Sequence, residues 1–251
     1  MKDFKNILGS FKNMKKHILL LLIILLVFYF LSYYKVHEFT ITSLFFFLLI
    51  FIESIICLLY YYNHKNELHK VALLIILLFG TTLIIINPVI NFHDGEEHLV
   101  RAELTSEGIL FPKFNEINLT YDAPNYVNDI ENEKFNIFTN TSLTSTPIDM
   151  SPSTANFAFA QNPFYGYIAP AIGILLAKIL NLTEIFTIWL GSLFNLLVYS
   201  CFVYIAIKKS PAMKMHLLLV ACLPVAFFKG ATLSIDGFVF GLSLLIVLTL
   251  L

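Results

Sequence analysis

The chain has 251 residues, of which 58% are hydrophobic and only 13% charged, with a mean hydropathy of +0.78 and a formal net charge of −1. A soluble domain carries about 25% charged residues, so the composition excludes an ordinary soluble fold, and the charge balance offers nothing to nucleic acid. Cys57, Cys201 and Cys222 all lie inside apolar runs, which argues against a disulfide framework and against a zinc site.

The apolar residues fall into runs of spanning length, for which about 20 mostly apolar residues are needed. Residues 1–17 are polar and basic, with Lys2, Lys5, Lys12, Lys15 and Lys16. Residues 18–34 form the first apolar run, long for a signal peptide and followed by no small-residue cleavage site, so an uncleaved anchor is expected. The second run is 40–62, and a short loop with Lys65 and Lys70 leads to a third run, 71–90, closed by Asn87-Pro88. Residues 91–161 are polar and acidic, broken by Pro112, Pro124, Pro147 and Pro152, and 142–153 read as loop. A structureless stretch of this length is unusual unless it is functional. Residues 163–182 are apolar but interrupted by Gly166, Pro170, Gly173 and Lys178. Further runs cover 184–207, then 215–233 with a kink at Pro224, and 235 onward. The last run is apolar to Leu251, which leads to the expectation that the chain is the front part of something longer.

Positive charge fixes the expected topology. The basic N-terminus is cytoplasmic, the Lys65/Lys70 loop is cytoplasmic, and the polar segment is therefore outside. Lys208, Lys209 and Lys214 should also be inside. They land there only if 163–182 does not cross, and its Gly and Pro interruptions favour a helix lying on the outer surface. The expected fold is an all-α membrane protein with about six transmembrane helices, an interfacial helix and a large outer loop. It has no β-sheet core, only short extended pieces within 111–146. The parts are 1–17 (cytoplasmic), 18–90 (three spans), 91–184 (extracytoplasmic, with the interfacial helix) and 185–251 (three spans).

Two acidic spots then face one side. The first is His93-Asp94-Gly95-Glu96-Glu97-His98 through Arg101, after the third span, and the second is Asp236. On a helix, Asp94, His98 and Arg101 follow i, i+4, i+7 and share a face. Such a set suits a phosphate-linked substrate: Arg holds phosphate oxygens bidentately, and a carboxylate accepts a proton or holds a divalent metal. The plainer reading makes Asp94 a helix N-cap with Glu97 as its capping-box partner, Glu97–Arg101 an ion pair, Asp236 the cap of the last span, and Lys229 a snorkelling side chain. Glu53 sits mid-span, where an acid is a functional candidate by default. The sequence names no intramembrane partner for it, and it is expected to face other helices or a polar crevice. Asn118, Asn140 and Asn181 match a weak glycosylation pattern.

The order Pro88, Asp94, His98, Arg101-Ala102, Ser106-Glu107-Gly108-Ile109-Leu110 resembles the opening signature of a bacterial family of predicted membrane proteins, domain of unknown function 2142. Asn162-Pro163-Phe164-Tyr165, Tyr167, Pro170, Gly173, Trp189-Leu190-Gly191, Asn195, Leu223-Pro224 and Ser234-Ile235-Asp236 continue it, from about residue 88 to the end. One departure stands out: the family's Asp-Glu pair is Asp94-Gly95 here, leaving Glu96 or Glu97 as auxiliary acids in a different register. Family members are also usually much longer.

The family in turn looks like the GT-C class of glycosyltransferases, which take a sugar from a polyprenyl-phosphate carrier on the outer side of the membrane. That resemblance implies catalytic roles for Asp94 and Asp236, substrate-phosphate contacts from His98, Arg101 and Lys229, and a divalent cation, magnesium or manganese, on Asp94 and Asp236. The implied setting is the plasma membrane and cell-envelope polysaccharide synthesis. The competing readings are a non-catalytic transport or assembly component and a truncated, inactive piece of such an enzyme. Sugar, acceptor and oligomeric state are not legible in the sequence.

Overall fold

In the computed structural model, residues 2–36, 41–87, 90, 94–116, 120–132, 142–156 and 158–249 are described. They form α1 (Lys2–Val36), α2 (Ile41–Asn63), α3 (Leu68–Ile86), α4 (Gly95–Ser106), β1 (Tyr121–Pro124), α5 (Asn125–Asn132), β2 (Pro152–Ala155), α6 (Ile168–Ile179), α7 (Ile185–Lys209), α8 (Lys214–Ala221), α9 (Pro224–Gly230) and α10 (Ile235–Thr249). The chain is thus mostly helical, as its apolar runs require. Within a bilayer every backbone N–H and C=O must be satisfied inside the segment, and a helix does that.

Among the described residues, four helices are long and apolar enough to cross a membrane: Met14–Leu31 within α1, Thr42–Asn63, Leu68–Ile86 and Ile185–Lys209. A fifth crossing arises only if α9 and α10, bent by 118° at the break between them, are taken together. Hydropathy and the lysine positions together had led to six. The difference lies in residues 215–233, which are not one helix, and in α10, whose 15 residues do not qualify by themselves. Leu223 adopts an extended ψ of 137° ahead of Pro224, which has no N–H to continue the ladder. The run therefore breaks into α8 and α9, each too short to span.

Two cores organise the molecule. One joins α3, α7, α8 and α10 through Ile76, Ile84, Leu196, Tyr199, Val203 and Leu217. Leu196 seats against Gly80, where an added Cβ would lie 2.5 Å from its methyl carbon. Between apolar helices in lipid, such close approach supplies dispersion that burial from water cannot. Glu53 of α2 finds the partner the sequence did not reveal: the Thr82 hydroxyl of α3 donates to Oε1 at 2.6 Å, and the carboxyl is only 6% exposed.

The second core lies under the polar segment. Leu99, Val100, Ala102, Tyr126, Val127, Ile130 and Leu143 pack on Tyr167, Ile174, Ile185, Ile188 and Leu233. The segment is therefore a folded cap on the ends of α6, α7 and α10. Among the described residues its sheet is the antiparallel pair β1–β2, Tyr121 opposite Ala155 and Pro124 opposite Pro152. Extended structure thus occurs inside 111–146 as expected, with a partner strand beyond it.

Residues 163–182 fold as a 3₁₀ turn, Phe164–Tyr167, running into the 12-residue α6. At 1.5 Å per residue α6 is about 18 Å long, well under the roughly 30 Å of a hydrocarbon core. It ends in a Schellman closure with Asn181 in the left-handed region (φ 48°), Leu182 N–H reaching Ala177 O at 3.0 Å. Asn181 is exposed there as a helix cap. Asn118 and Asn140 lie outside the described residues.

Candidate functional site

The site is built where the start of α4 meets the link between α9 and α10. Asp94 takes the N-cap position of α4 in the left-handed conformation (φ 57°) and makes no side-chain cap hydrogen bond, so the capping box with Glu97 does not form. His93 and Pro88 lie outside the described residues. Gly95 follows for a steric reason. A Cβ at this position would stand 2.7 Å from Ile90 Cγ2 and 2.8 Å from Ile90 O. A side chain at position 95 has no room in this conformation, and the acids Glu96 and Glu97 follow it.

His98 is the junction. Its Nδ1 is hydrogen-bonded with Tyr167 Oη at 2.7 Å and its Nε2 with Ser234 Oγ at 3.1 Å. Tyr167 Oη also accepts from Asn162 Nδ2 at 3.0 Å. Burial pushes the Tyr167 phenol well up, so it stays a neutral donor and acceptor. Ser234 Oγ accepts the backbone N–H of Asp236 at 3.1 Å. One buried imidazole thus ties α4, just after Asp94, to Ser234 at the start of α10, 136 residues on.

Asp236 and Lys229 come together across the α9–α10 bend, Nζ to Oδ2 at 2.8 Å, with side-chain exposures of 52% and 21%. Asn195 of α7 holds the bend: its Nδ2 donates to Thr232 O at 2.7 Å and Ser234 O at 3.0 Å. Gly230 and Gly237 permit it, since a Cβ would strike the Tyr199 ring at 2.7 Å or Lys229 O at 2.7 Å respectively. Lys229 is therefore paired with Asp236, whose side chain is half-exposed.

Arg101 does something else. It is 1% exposed. Nη2 donates to Leu110 O at 3.0 Å and Asn162 O at 3.1 Å, Nε to Asn162 O at 3.3 Å, and Nη1 to Ile109 O at 3.5 Å and Thr105 Oγ1 at 3.4 Å. Among the described residues it forms no ion pair with Glu97. Its donors are committed to main-chain carbonyls.

Sequence reasoning missed a buried charge network beside the site. Glu103, fully buried, pairs with Lys178 of α6 and accepts the Tyr126 hydroxyl, while Lys178 also reaches Glu107 at 2.6 Å. Burial raises the Glu103 carboxyl and outweighs the lowering by Lys178 and Tyr126. Lys178 had read only as an interruption of an apolar run. Glu131 was missed as well. Burial, then the charges of Glu96 and Glu97, raise its carboxyl to about 7. With the folded value raised, the stability it lends is complete below the unfolded carboxyl value of about 4.3 and is lost as pH rises through about 7. Protease resistance of the polar cap is therefore expected to fall between pH 5 and pH 8, and Glu131→Gln should flatten that profile. An unchanged profile would show that Glu131 is not the titrating group.

The donor set does not fit a resident divalent cation. Asp236 shares its carboxylate with Lys229, and among the described residues no group of three or more His, Cys, Asp or Glu side chains is arranged to hold a metal. The chemistry available is that of an exposed carboxylate beside an ammonium group, positioned by a buried histidine and asparagine. No curated protein and no solved structure is significantly similar to the chain. Residues 77–251 match the family described as Predicted membrane protein (DUF2142), and this chain belongs to that family of membrane proteins.

Proposed function

We propose that the chain is a membrane glycosyltransferase module that takes a sugar from a polyprenyl-phosphate carrier on the extracytoplasmic face of the plasma membrane, in cell-envelope polysaccharide synthesis, with the N-terminus cytoplasmic. The observation carrying this reading is the His98–Ser234 hydrogen bond. It supports the reading because it joins His98, four residues after Asp94, to Ser234, two residues before Asp236 of the Lys229–Asp236 pair. Asp236 is the group that accepts a proton from an attacking hydroxyl, and Lys229 the point charge for a phosphate oxygen. Asp94 supplies the second acid. His98 acts through Ser234 as a positioning residue, and Arg101 serves the scaffold in place of the phosphate.

In a strain lacking its own copy, Asp236→Asn should lower surface-polysaccharide synthesis by about 10²- to 10⁴-fold, the usual weight of a general base, at unchanged membrane abundance. Lys229→Met should raise the donor requirement. If Asp94→Ala and Asp236→Ala both complement fully, the reading fails. A second reading, a non-catalytic transport or assembly component, is favoured by Gly95 in place of an acid. It predicts that deletion abolishes the polysaccharide while Asp236→Asn does not.

A further inference from the structure

Arg101 buries a full guanidinium to fasten two stretches of main chain, and those stretches carry the exposed rings of Phe111, Phe114 and Tyr165. Its Nη2 joins Leu110 O to Asn162 O. α4 ends just before in a Schellman closure, with Gly108 at φ 78° and Ile109 N–H on Leu104 O at 2.8 Å, which turns the chain sharply outward. The result is the exposed sequence Ile109-Leu110-Phe111-Pro112-Lys113-Phe114, with Phe111 80% exposed. Beside it, past Asn162, stand Phe164 and Tyr165.

These rings do not form an isolated patch. Phe111 meets Phe164 edge-on at 5.9 Å, Phe164 meets Tyr165 at 6.1 Å, Tyr165 meets Phe238 of α10 at 6.2 Å, and Phe238 meets Phe202 at 5.4 Å. Phe202 lies on α7, a helix of spanning length and apolarity. A row of aromatic rings therefore runs unbroken from the loop onto the flank of a spanning helix. From the same point the outward face of α6 continues as Ile168, Ile172, Leu175 and Ile179, spaced i, i+4, i+7, i+11, all exposed and without a charge among them. Its one charged residue, Lys178, turns inward to Glu103.

We propose that residues 109–114, with Phe164 and Tyr165, form a wedge that enters the acyl–headgroup boundary of the bilayer, and that Arg101 braces it there. The occupant is lipid because the apolar surface is continuous with that of a spanning helix and, apart from Lys113, carries no charged group to meet a protein rim. Aromatic rings favour this depth. Lys113, between two phenylalanines, has the reach to leave its ammonium among lipid phosphates. The inference stands whether or not the chain is an enzyme.

The test uses the whole chain in phosphatidylcholine vesicles. The single tryptophan, Trp189, is replaced by Phe, and Phe111→Trp becomes the reporter. Expected are blue-shifted emission, a loss of about half or more with acyl-brominated lipid at the depth of interfacial segments, and protection from aqueous iodide. Adding Arg101→Met should shift the emission red and open it to iodide. Iodide quenching with insensitivity to brominated lipid in the protein that keeps Arg101, or an Arg101→Met protein with unchanged emission, would overturn the proposal. Should Trp189→Phe fail to fold, a benzophenone amino acid at position 111 in the otherwise natural chain decides. A lipid adduct supports the wedge, and a cross-link to a second copy or to another protein overturns it.

Discussion

Lys178→Met is expected to destabilise the protein by about 3–5 kcal/mol, the cost of leaving a buried charge without its partner. Glu103 is fully buried between α4, α5 and α6, and Lys178 is its only cation among the described ion pairs. The Tyr126 hydroxyl and Ser106 Oγ, the latter at 3.1 Å, still reach the carboxyl, but neither carries charge. Without Lys178 the carboxyl must either stay ionised in an apolar core or bind a proton. Burial already pushes it up, so it will bind the proton at low pH. The lesion should therefore be milder at pH 5 than at pH 8. The double variant Glu103→Gln/Lys178→Met should recover much of the loss, because two neutral groups replace one orphan charge. The measurement is the thermal unfolding midpoint in detergent at both pH values. A single variant that melts like the parent at pH 8 would mean that the Glu103–Lys178 pair does not stabilise the fold.

Gly173→Ala should do comparable damage by a different route. A Cβ there would lie 2.3 Å from Leu190 O, 2.4 Å from Leu190 C and 2.6 Å from Gly191 N. All three are backbone atoms of α7, so no side chain can swing aside and α6 must lift from α7. Ordinary overpacking costs about 1–3 kcal/mol, and this site should reach or exceed the upper end. Gly191→Ala is the control. Its Cβ would meet chiefly the end of the Leu233 side chain, at 2.5 Å, with Pro170 O at 3.3 Å. A flexible methyl can yield, so that variant should melt well above Gly173→Ala. Equal midpoints would refute the backbone-contact argument. Because α6 carries both Lys178 and the apolar outer stripe, loosening it should also raise protease cleavage of the polar cap.

The sequence by itself determined that this is a helical membrane protein, because apolar runs of spanning length leave the backbone no other way to satisfy its hydrogen bonds. It also marked residues 163–182 as an interrupted apolar run, through Gly166, Pro170, Gly173 and Lys178, and singled out His98, Lys229 and Asp236. Tertiary structure decided what those residues do. Whether 215–233 is one helix or two depends on the backbone at Leu223–Pro224, which hydropathy does not see. Whether Arg101 holds a ligand or a loop depends on carbonyls at Leu110 and Asn162, and main-chain acceptors are the same in every sequence. Glu103, Lys178 and Glu131 were illegible for a related reason. A charged residue in a polar segment looks solvated until the fold removes the water around it, and only then does its partner become a necessity. A link between the two ends, His98 to Ser234, joins residues 136 apart in the chain, and no local pattern encodes a contact of that range.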